Sequence, residues 1–539
     1  MHIHDIRTLL PLDRGAAAPL FRQLYAHLKD AILRGVLAPG ARLPPTRTLC
    51  AALGVSRQSV LNAYDQLSAE GYLDGTVGKG TFVSTRLPLW APAARVPPAR
   101  GAAGQKAAAR QGGAAAVAEE QPASPAAPAL MRPLSARGQV YAGAMAGVRH
   151  HEVALRAFRV SMPGLDLFPF PLWSRLEARR WRRPDHHMGY GDPAGYLPLR
   201  ELLCAYLGAS RGVACTPDQI IITSGSQQAL YLLSSLLLAP GDGVWIESPG
   251  YQGASAPMAA AGARLCTVPV TAEGMDVDYG AVHYPDARMV FATPSHQLPL
   301  GATMSLQRRL ALLRWAGANK AWIIEDDYDS EYRYTGPPLA SLQSLDRAGC
   351  VVYVGTLSKV LFPGLRLGYV VAPPALAPAV VRAKAVIDRH SGIVPQMVLA
   401  DFMAGGHFAR HIKRTRAAYA ERRTALLAGL AGPLADDLAC GPADAGLDLC
   451  VRFRRGHDEA AVVRAALARG VEVRPLAYYA SPAATPACAV GPGLVLGFAA
   501  IPPAEIAHGV DVLADVLRAL GRSAPAARKP AAPRAPTAR

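Results

Sequence analysis

The chain has 539 residues, roughly three to four times a usual single-domain length, so at least two folded units are expected, one of them large. With 51% apolar and 18% charged residues it can build a sizeable core, which excludes a wholly disordered chain. The net charge is +17, and ten of those charges fall in residues 86–140 and from Arg522 onward, a basic excess in flexible segments that suits a polyanion partner.

Membrane and metal chemistry find little support. The longest apolar stretch, ALYLLSSLLLA from Ala229 to Ala239, falls well short of the roughly 20 residues that span a bilayer. The start, MHIHDIRTLLPLD, lacks a basic region followed by a hydrophobic core, so a cytoplasmic protein without a membrane segment is expected. Eight cysteines are scattered without a C-x-x-C pair and read as reduced thiols. His150-His151 and His186-His187 have no Cys or acidic partner at zinc-ligand spacing, so no metal is expected.

In chain order, PLFRQLYAHLKDAILRG from Pro19 to Gly35 puts Leu20, Leu24, Leu28 and Ile32 on one helical stripe and closes with Gly35. After Pro39-Gly40, Thr46 can cap a helix that stops at Gly54, and Ser56 can cap another that stops at Gly71. Two short helices joined by G-V-S form a helix-turn-helix pattern, and YLDGTVGKGTFVS reads as two β runs around a tip carrying Lys79. On a duplex, Arg57, Gln58 and Ser59 would meet base edges, Arg42 and Arg47 would hold phosphates, and Lys79 would enter the minor groove. The competing reading is a three-helix packing module with an ordinary basic face. The string RLPPTRTLCAALGVSRQSVLNAYDQLSAEGYLDGTVGKGTFVS resembles the winged helix of GntR-type bacterial transcription regulators, which implies DNA binding by residues 1–85, Ser56 among the contacts.

Residues 86–150 are rich in Ala, Pro and Gly and read as a flexible linker, with an end-to-end distance of about 40 Å. Residues 151–521 alternate apolar runs with helical patterns, and 522–539 form a basic tail of disordered composition.

In this larger part, Ile220 to Thr223 reads as a buried strand, followed by the turn Ser224-Gly225-Ser226-Gln227 and a helix. Such a turn leaves backbone amides at the positive end of a helix, a place for a phosphate. The strand AWII from Ala321 runs into Glu325-Asp326-Asp327-Tyr328-Asp329, and VVYVG from Val351 into Thr356-Leu357-Ser358-Lys359. A carboxylate and an amine at strand carboxyl ends, near a phosphate turn, describe a pyridoxal phosphate pocket. A solvated acidic loop and a surface lysine are the bland alternative.

The motifs Tyr190-x4-Gly195, TSGSQQAL, ESPGY ending in Tyr251, TPSHQLPLG, IEDDYDSE and GTLSKVLFPGLRLGY resemble those of fold-type I aminotransferases. The resemblance implies an α/β fold with a large, mostly parallel mixed sheet and a small α/β subdomain. It makes Lys359 the residue that forms the aldimine, Asp326 the partner of the pyridine nitrogen, and Tyr328 the donor to the ring hydroxyl oxygen. Tyr251 would stack on the ring; Ser226, Gln227, Thr356, Ser358 and Arg366 would hold the phosphate. Tyr190 would reach the phosphate of a partner subunit, so a homodimer is implied. Winged helix, linker and aminotransferase-like domain in this order resemble the MocR/GabR-type subfamily of GntR regulators. That implies a pyridoxal-phosphate-dependent regulator of promoter DNA, sensing an amino compound or the cofactor itself at Lys359.

Two departures bear on the alternative of an active aminotransferase with an appended DNA-binding head. The matching position for the Asn of an N-P-x-G motif is Leu298, which weakens the catalytic reading. After Pro-Gly-Tyr the stretch QGASAPM has no Arg, leaving Arg474 in VEVRPLAYY as the carboxylate partner of an effector, or else a surface strand cap. His296 lines the pocket or serves structurally.

Overall fold

The computed structural model describes residues 10–15, 19–69, 72–76, 80–85, 133–143, 155–336 and 339–523, and the chain divides into two units, Met1–Ala126 and Ala127–Arg539. Lys79, most of the 86–150 segment, His150-His151 and the tail beyond Ser523 lie outside the described residues.

The first unit is built from α1 (Leu20–Leu33), α2 (Thr46–Leu53), α3 (Arg57–Ala69), β1 (Leu73–Thr76) and β2 (Gly80–Val83). The stripe read from the sequence is the buried face of α1, and Leu24, Leu28 and Ile32 pack with Leu49, Val60, Leu67, Tyr72 and Val83. Gly54 ends α2 in the left-handed conformation, where a residue without Cβ is unstrained. One detail differs from the sequence reading: Pro45, not Thr46, precedes the first turn of α2, and no side chain caps it. Ser56 does cap α3, its Oγ accepting the Ser59 amide at 3.1 Å. β1 and β2 pair antiparallel from Leu73↔Val83 to Thr76↔Gly80.

The second unit starts with a helix inside the segment read as a linker, α4 (Ala136–Gly143). Ser135 Oγ accepts the Gly138 amide, which caps its first turn, and the Tyr141 ring lies 6.0 Å from that of Tyr231. Helices α5 (Phe170–Arg182) and α6 (Leu197–Arg211) precede the main sheet, whose strands are β3 (Ile220–Thr223), β4 (Gly243–Ser248), β5 (Arg264–Thr271), β6 (Gly274–Met275), β7 (Met289–Ala292), β8 (Trp322–Asp327), β9 (Val351–Thr356) and β10 (Gly368–Val371). Between them run α7 (Ser226–Leu237), α8 (Gln252–Ala260), α9 (Val277–His283) and α10 (Leu306–Asn319).

The sheet order is β3-β10-β9-β8-β7-β4-β5-β6. β4, β5, β7, β8 and β9 are parallel, while β10 runs antiparallel to both neighbours. Helices cover both faces, so alternate residues of one strand feed different cores: Ile221 joins α7 and α8, whereas Ile220 and Ile222 join α6. Burial on both sides is why these strands read as unbroken apolar runs.

After α11 (Ala377–Asp388) and α12 (Ile393–Ala404), the 25-residue α13 (His407–Ala431) carries the chain from the large sheet to a smaller one. There β11 (Leu438–Cys440), β12 (Asp448–Phe453), β13 (Arg474–Pro475) and β14 (Gly493–Gly497) form an antiparallel sheet ordered β11-β12-β14-β13, backed by α14 (Glu459–Ala468) and α15 (Pro503–Ser523). The incoming segment 155–164 lies on this sheet, with Phe158 bridged to Gly497.

Candidate cofactor site and nucleic-acid interface

Parallel strands that release their chains at one sheet edge gather polar groups there. Asp326 stands near the end of β8, Thr356 ends β9, Lys359 follows three positions later, and Ser226 opens α7 just beyond β3. These residues line a cavity of about 340 Å³ with Gln227, Tyr251, Tyr328, Ser358, Arg366 and Arg474. At one end the first turn of α7 follows Gly225, which has φ of 93° and offers no side-chain cap, so its amides remain available to an anion. Arg366 stands over that turn, its Nη2 donating to the Ser224 carbonyl at 2.9 Å.

At the other end Asp326 is buried, and its Oδ1 has no hydrogen-bond partner among the described residues. Burial first, then Asp327 and Glu247, push its carboxyl up to about 7 against the opposing pull of Lys359. A buried, unpartnered carboxylate oxygen calls for a cationic donor. Lys359 Nζ donates to the Ser161 carbonyl at 2.7 Å. Burial lowers its pKa although Asp448, Asp329 and Asp326 pull the other way, which favours the neutral, nucleophilic amine. Ser161 is itself held by Asp448, which accepts its amide at 2.8 Å and its hydroxyl at 3.2 Å.

The residues singled out in the sequence separate into three groups. Lys359, Asp326, Tyr328, Tyr251, Ser226, Gln227, Thr356, Ser358, Arg366 and Arg474 all face one cavity. The Gln227 side chain is committed elsewhere: its Nε2 donates to the Gly253 carbonyl and its Oε1 accepts from the Tyr251 hydroxyl. It therefore fixes the Tyr251 ring, and Gln227 has its backbone amide for an anion. Arg474 is half-buried, opens β13 and faces the cavity, with its guanidinium 4.7 Å from the Tyr478 ring centre.

His296 is not on the cavity wall; it stands behind Tyr328, bonded to Asp329. Tyr190 is 87% exposed and outside this chain's cavity, against Arg389 and His390. Sequence reasoning missed Ser161, Thr293, Gln252, Tyr478 and Tyr479, which also line the cavity; the adjacent tyrosines after Arg474 were the available signal. Beside His186-His187, Asp185 accepts the His187 amide at 2.9 Å and lies 3.0 Å from its Nδ1.

On the first unit, Arg57 and Gln58 are exposed in the first turn of α3, where a major-groove helix presents its reading groups. Gln58 donates to Asn62 at 2.8 Å, and the Ser59 hydroxyl is bonded to that of Ser56. Arg47 is exposed on α2; Arg42 is exposed and pairs with Phe82 beside the wing. Ser56 combines two roles, exposed and capping.

A winged helix-turn-helix head and an aminotransferase-type domain with a cavity at its strand ends define the class of the molecule. Residues 20–83 match the family of bacterial regulatory proteins named gntR, and residues 175–513 match aminotransferase class I and II, whose family binds pyridoxal phosphate. The chain is 39% identical to the probable rhizopine catabolism regulatory protein MocR of Rhizobium meliloti, over 98% of this chain and 100% of that protein. It is 34% identical to the transcriptional regulator TauR of Rhodobacter capsulatus, over 76% of this chain and 80% of that protein. Among solved structures it is similar to LysN, the α-aminoadipate aminotransferase of Thermus thermophilus complexed with N-(5'-phosphopyridoxyl)-L-leucine, with a TM-score of 0.62, 30% identity and coverage of 68% of this chain and 92% of that one. The chain belongs to the MocR-type transcription regulators of the GntR family.

Proposed function

We propose that this regulator binds promoter DNA as a homodimer and reads an amino compound, or the cofactor itself, through pyridoxal phosphate held at Lys359. One observation carries the reading: in a chain with a GntR head, Lys359 and the unpartnered Asp326 oxygen line one cavity that ends at the open first turn of α7. These groups fit the cofactor. Pyridoxal phosphate supplies an aldehyde that condenses reversibly with amines and a ring that draws electrons. Asp326 would hold the ring nitrogen's proton. Ser226, the Gln227 amide, Thr356, Ser358 and Arg366 would grip the phosphate. Burial keeps Tyr251 a neutral phenol, its pKa pushed up to about 12, and its bond to Gln227 would hold it beside the ring. Arg474 would take an effector carboxylate with its planar guanidinium. The exposure of Tyr190 supports its reaching a partner's phosphate.

Sensing requires that an effector change how the heads are held. Cofactor condensed with Lys359 would take that amine off the Ser161 carbonyl, and an effector amine that displaced Lys359 would return a free amine able to donate there again; Ser161 lies in segment 155–164, which packs on the small sheet. The test incubates the purified protein with an amino-acid panel and a keto acid. A single absorbance change without accumulating product is expected; sustained turnover would make the protein a working aminotransferase instead.

DNA reading is tested separately. Arg57→Ala is expected to weaken operator binding by about 1 to 3 kcal/mol and to relax specificity, with cofactor absorbance unchanged. Gel-shift titration against matched and altered operators checks this, and unaltered affinity would remove Arg57 from the reading surface.

A further inference from the structure

Behind the cavity wall, the His296 Nδ1 lies 3.0 and 3.1 Å from the two carboxylate oxygens of Asp329 and 3.1 Å from the Tyr328 hydroxyl oxygen. A ring nitrogen carries either a hydrogen or a lone pair. A lone pair at Nδ1 would face two carboxylate oxygens, so Nδ1 carries the hydrogen and donates to Asp329. Burial opposes charge on His296, and Arg333 adds to that, yet Asp329 and Asp448 outweigh both and raise its pKa. In either charge state the Nδ1 hydrogen stays between His296 and its neighbours. Tyr328 therefore meets a donor on the His296 side, and its own hydroxyl hydrogen must point elsewhere.

The slot holding His296 is closely fitted. It is buried; a Cβ on Gly446 would lie 2.1 Å from its Cε1, and one on Gly301 would lie 3.6 Å from its Nε2. Gly446 has φ of 91°, so both the space and the backbone there demand glycine. On its other side Tyr328 faces the cavity. Leu298, two positions after His296, contributes only an apolar side chain to the same wall.

We propose that His296 and Asp329 are positioning residues that aim the Tyr328 hydroxyl hydrogen into the cavity, at the ring hydroxyl oxygen of the cofactor. This rests on the pyridoxal phosphate reading above. A hydrogen donated to that oxygen stabilises its anionic form, so the cofactor attached to Lys359 gives up its shared proton at lower pH. Asp329, Asp448, Asp326 and Glu247 all face Tyr328, and Asp448, Asp326, Asp329 and Arg474 face Lys359. The background field is thus strongly anionic and favours the protonated state, against which an aimed donor works.

The test is a pH titration of the visible absorption of the full-length protein loaded with pyridoxal phosphate. His296→Leu is expected to raise the midpoint by about one pH unit. His296→Asn, whose Nδ2 hydrogen takes the place of Nδ1–H, is expected to restore it to within about 0.3 unit. His296→Gln, which carries its amide one bond further out, is the second disrupting variant, and thermal melts confirm folding of each. In a Tyr328→Phe background His296→Leu is expected to add no further shift. An unchanged midpoint in His296→Leu and His296→Gln overturns the proposal, as does a shift that persists without the Tyr328 hydroxyl. A wild-type protein with no titrating band overturns the cofactor reading and this proposal together, whereas a normal wild-type titration with unresponsive variants overturns this proposal alone.

Discussion

Asp326→Ala is expected to weaken pyridoxal phosphate binding by about 3 kcal/mol or more, roughly a hundred-fold or greater loss of affinity, because a buried ring cation would lose its counter-charge. Stability of the cofactor-free protein is expected to move the other way. Asp326 Oδ1 has no hydrogen-bond partner among the described residues, so removing the carboxyl relieves a desolvation cost and the melting temperature should hold or rise. A variant that lost affinity merely through misfolding would melt lower. The pH dependence carries a sign. Burial raises the Asp326 carboxyl from 3.8 to about 7, so the folded state keeps a proton that the unfolded chain releases. Stability of the cofactor-free protein therefore falls as pH rises through that window. Glu247 and Glu325, raised from 4.5 to about 7 by burial, add to the same slope, and Asp326→Asn should make it shallower. Thermal melts across pH 4 to 7.5 with and without cofactor check each sign.

Gly368→Ala is expected to cost about 1 to 3 kcal/mol or more in stability and to abolish measurable cofactor binding. Gly368 opens β10 between β3 and β9, and a Cβ there would lie 2.9 Å from the Gly225 Cα and carbonyl carbon and 3.0 Å from the Gly355 carbonyl oxygen. All three are backbone atoms, so no side chain can swing aside. The sheet would have to spread at Gly225, the residue from which the open first turn of α7 starts, and the anion site would spread with it. Calorimetry and a cofactor titration read the two effects. An alanine variant that melts normally and loads fully would show that the turn tolerates displacement and that the strand packing here does not hold the site.

Legibility of this molecule from its sequence follows the range of the interactions involved. Strands β3, β8 and β9 were readable because a strand buried on both faces is a continuous apolar run that turns polar where it leaves the sheet, and that polar exit is where Asp326, Thr356 and Lys359 stand. The head was readable because the α1 stripe, Ser56 and Gly54 are all local signals. Ser161 was not, since its partners Asp448 and Lys359 lie 287 and 198 positions away, and no local pattern marks a residue that faces a cavity across two sheets. For His296 the sequence leaves pocket lining and a structural role open, because the choice depends on Asp329, 33 positions away. Helix α4 was hidden in an Ala/Pro/Gly-rich stretch whose overall composition outweighs a short capped turn. The role of the Gln227 side chain likewise required the position of Tyr251, 24 residues later.

Cofactor capture and sensing both depend on the amine of Lys359 receiving the cofactor, and borohydride reduction of the purified full-length protein loaded with pyridoxal phosphate, followed by peptide mapping, tests that most directly. The predicted result is one stable pyridoxyl group on the peptide containing Lys359, absent from Lys359→Ala. A reduced protein with no such group, or with the group on other lysines while Lys359 stays unmodified, would contradict the account.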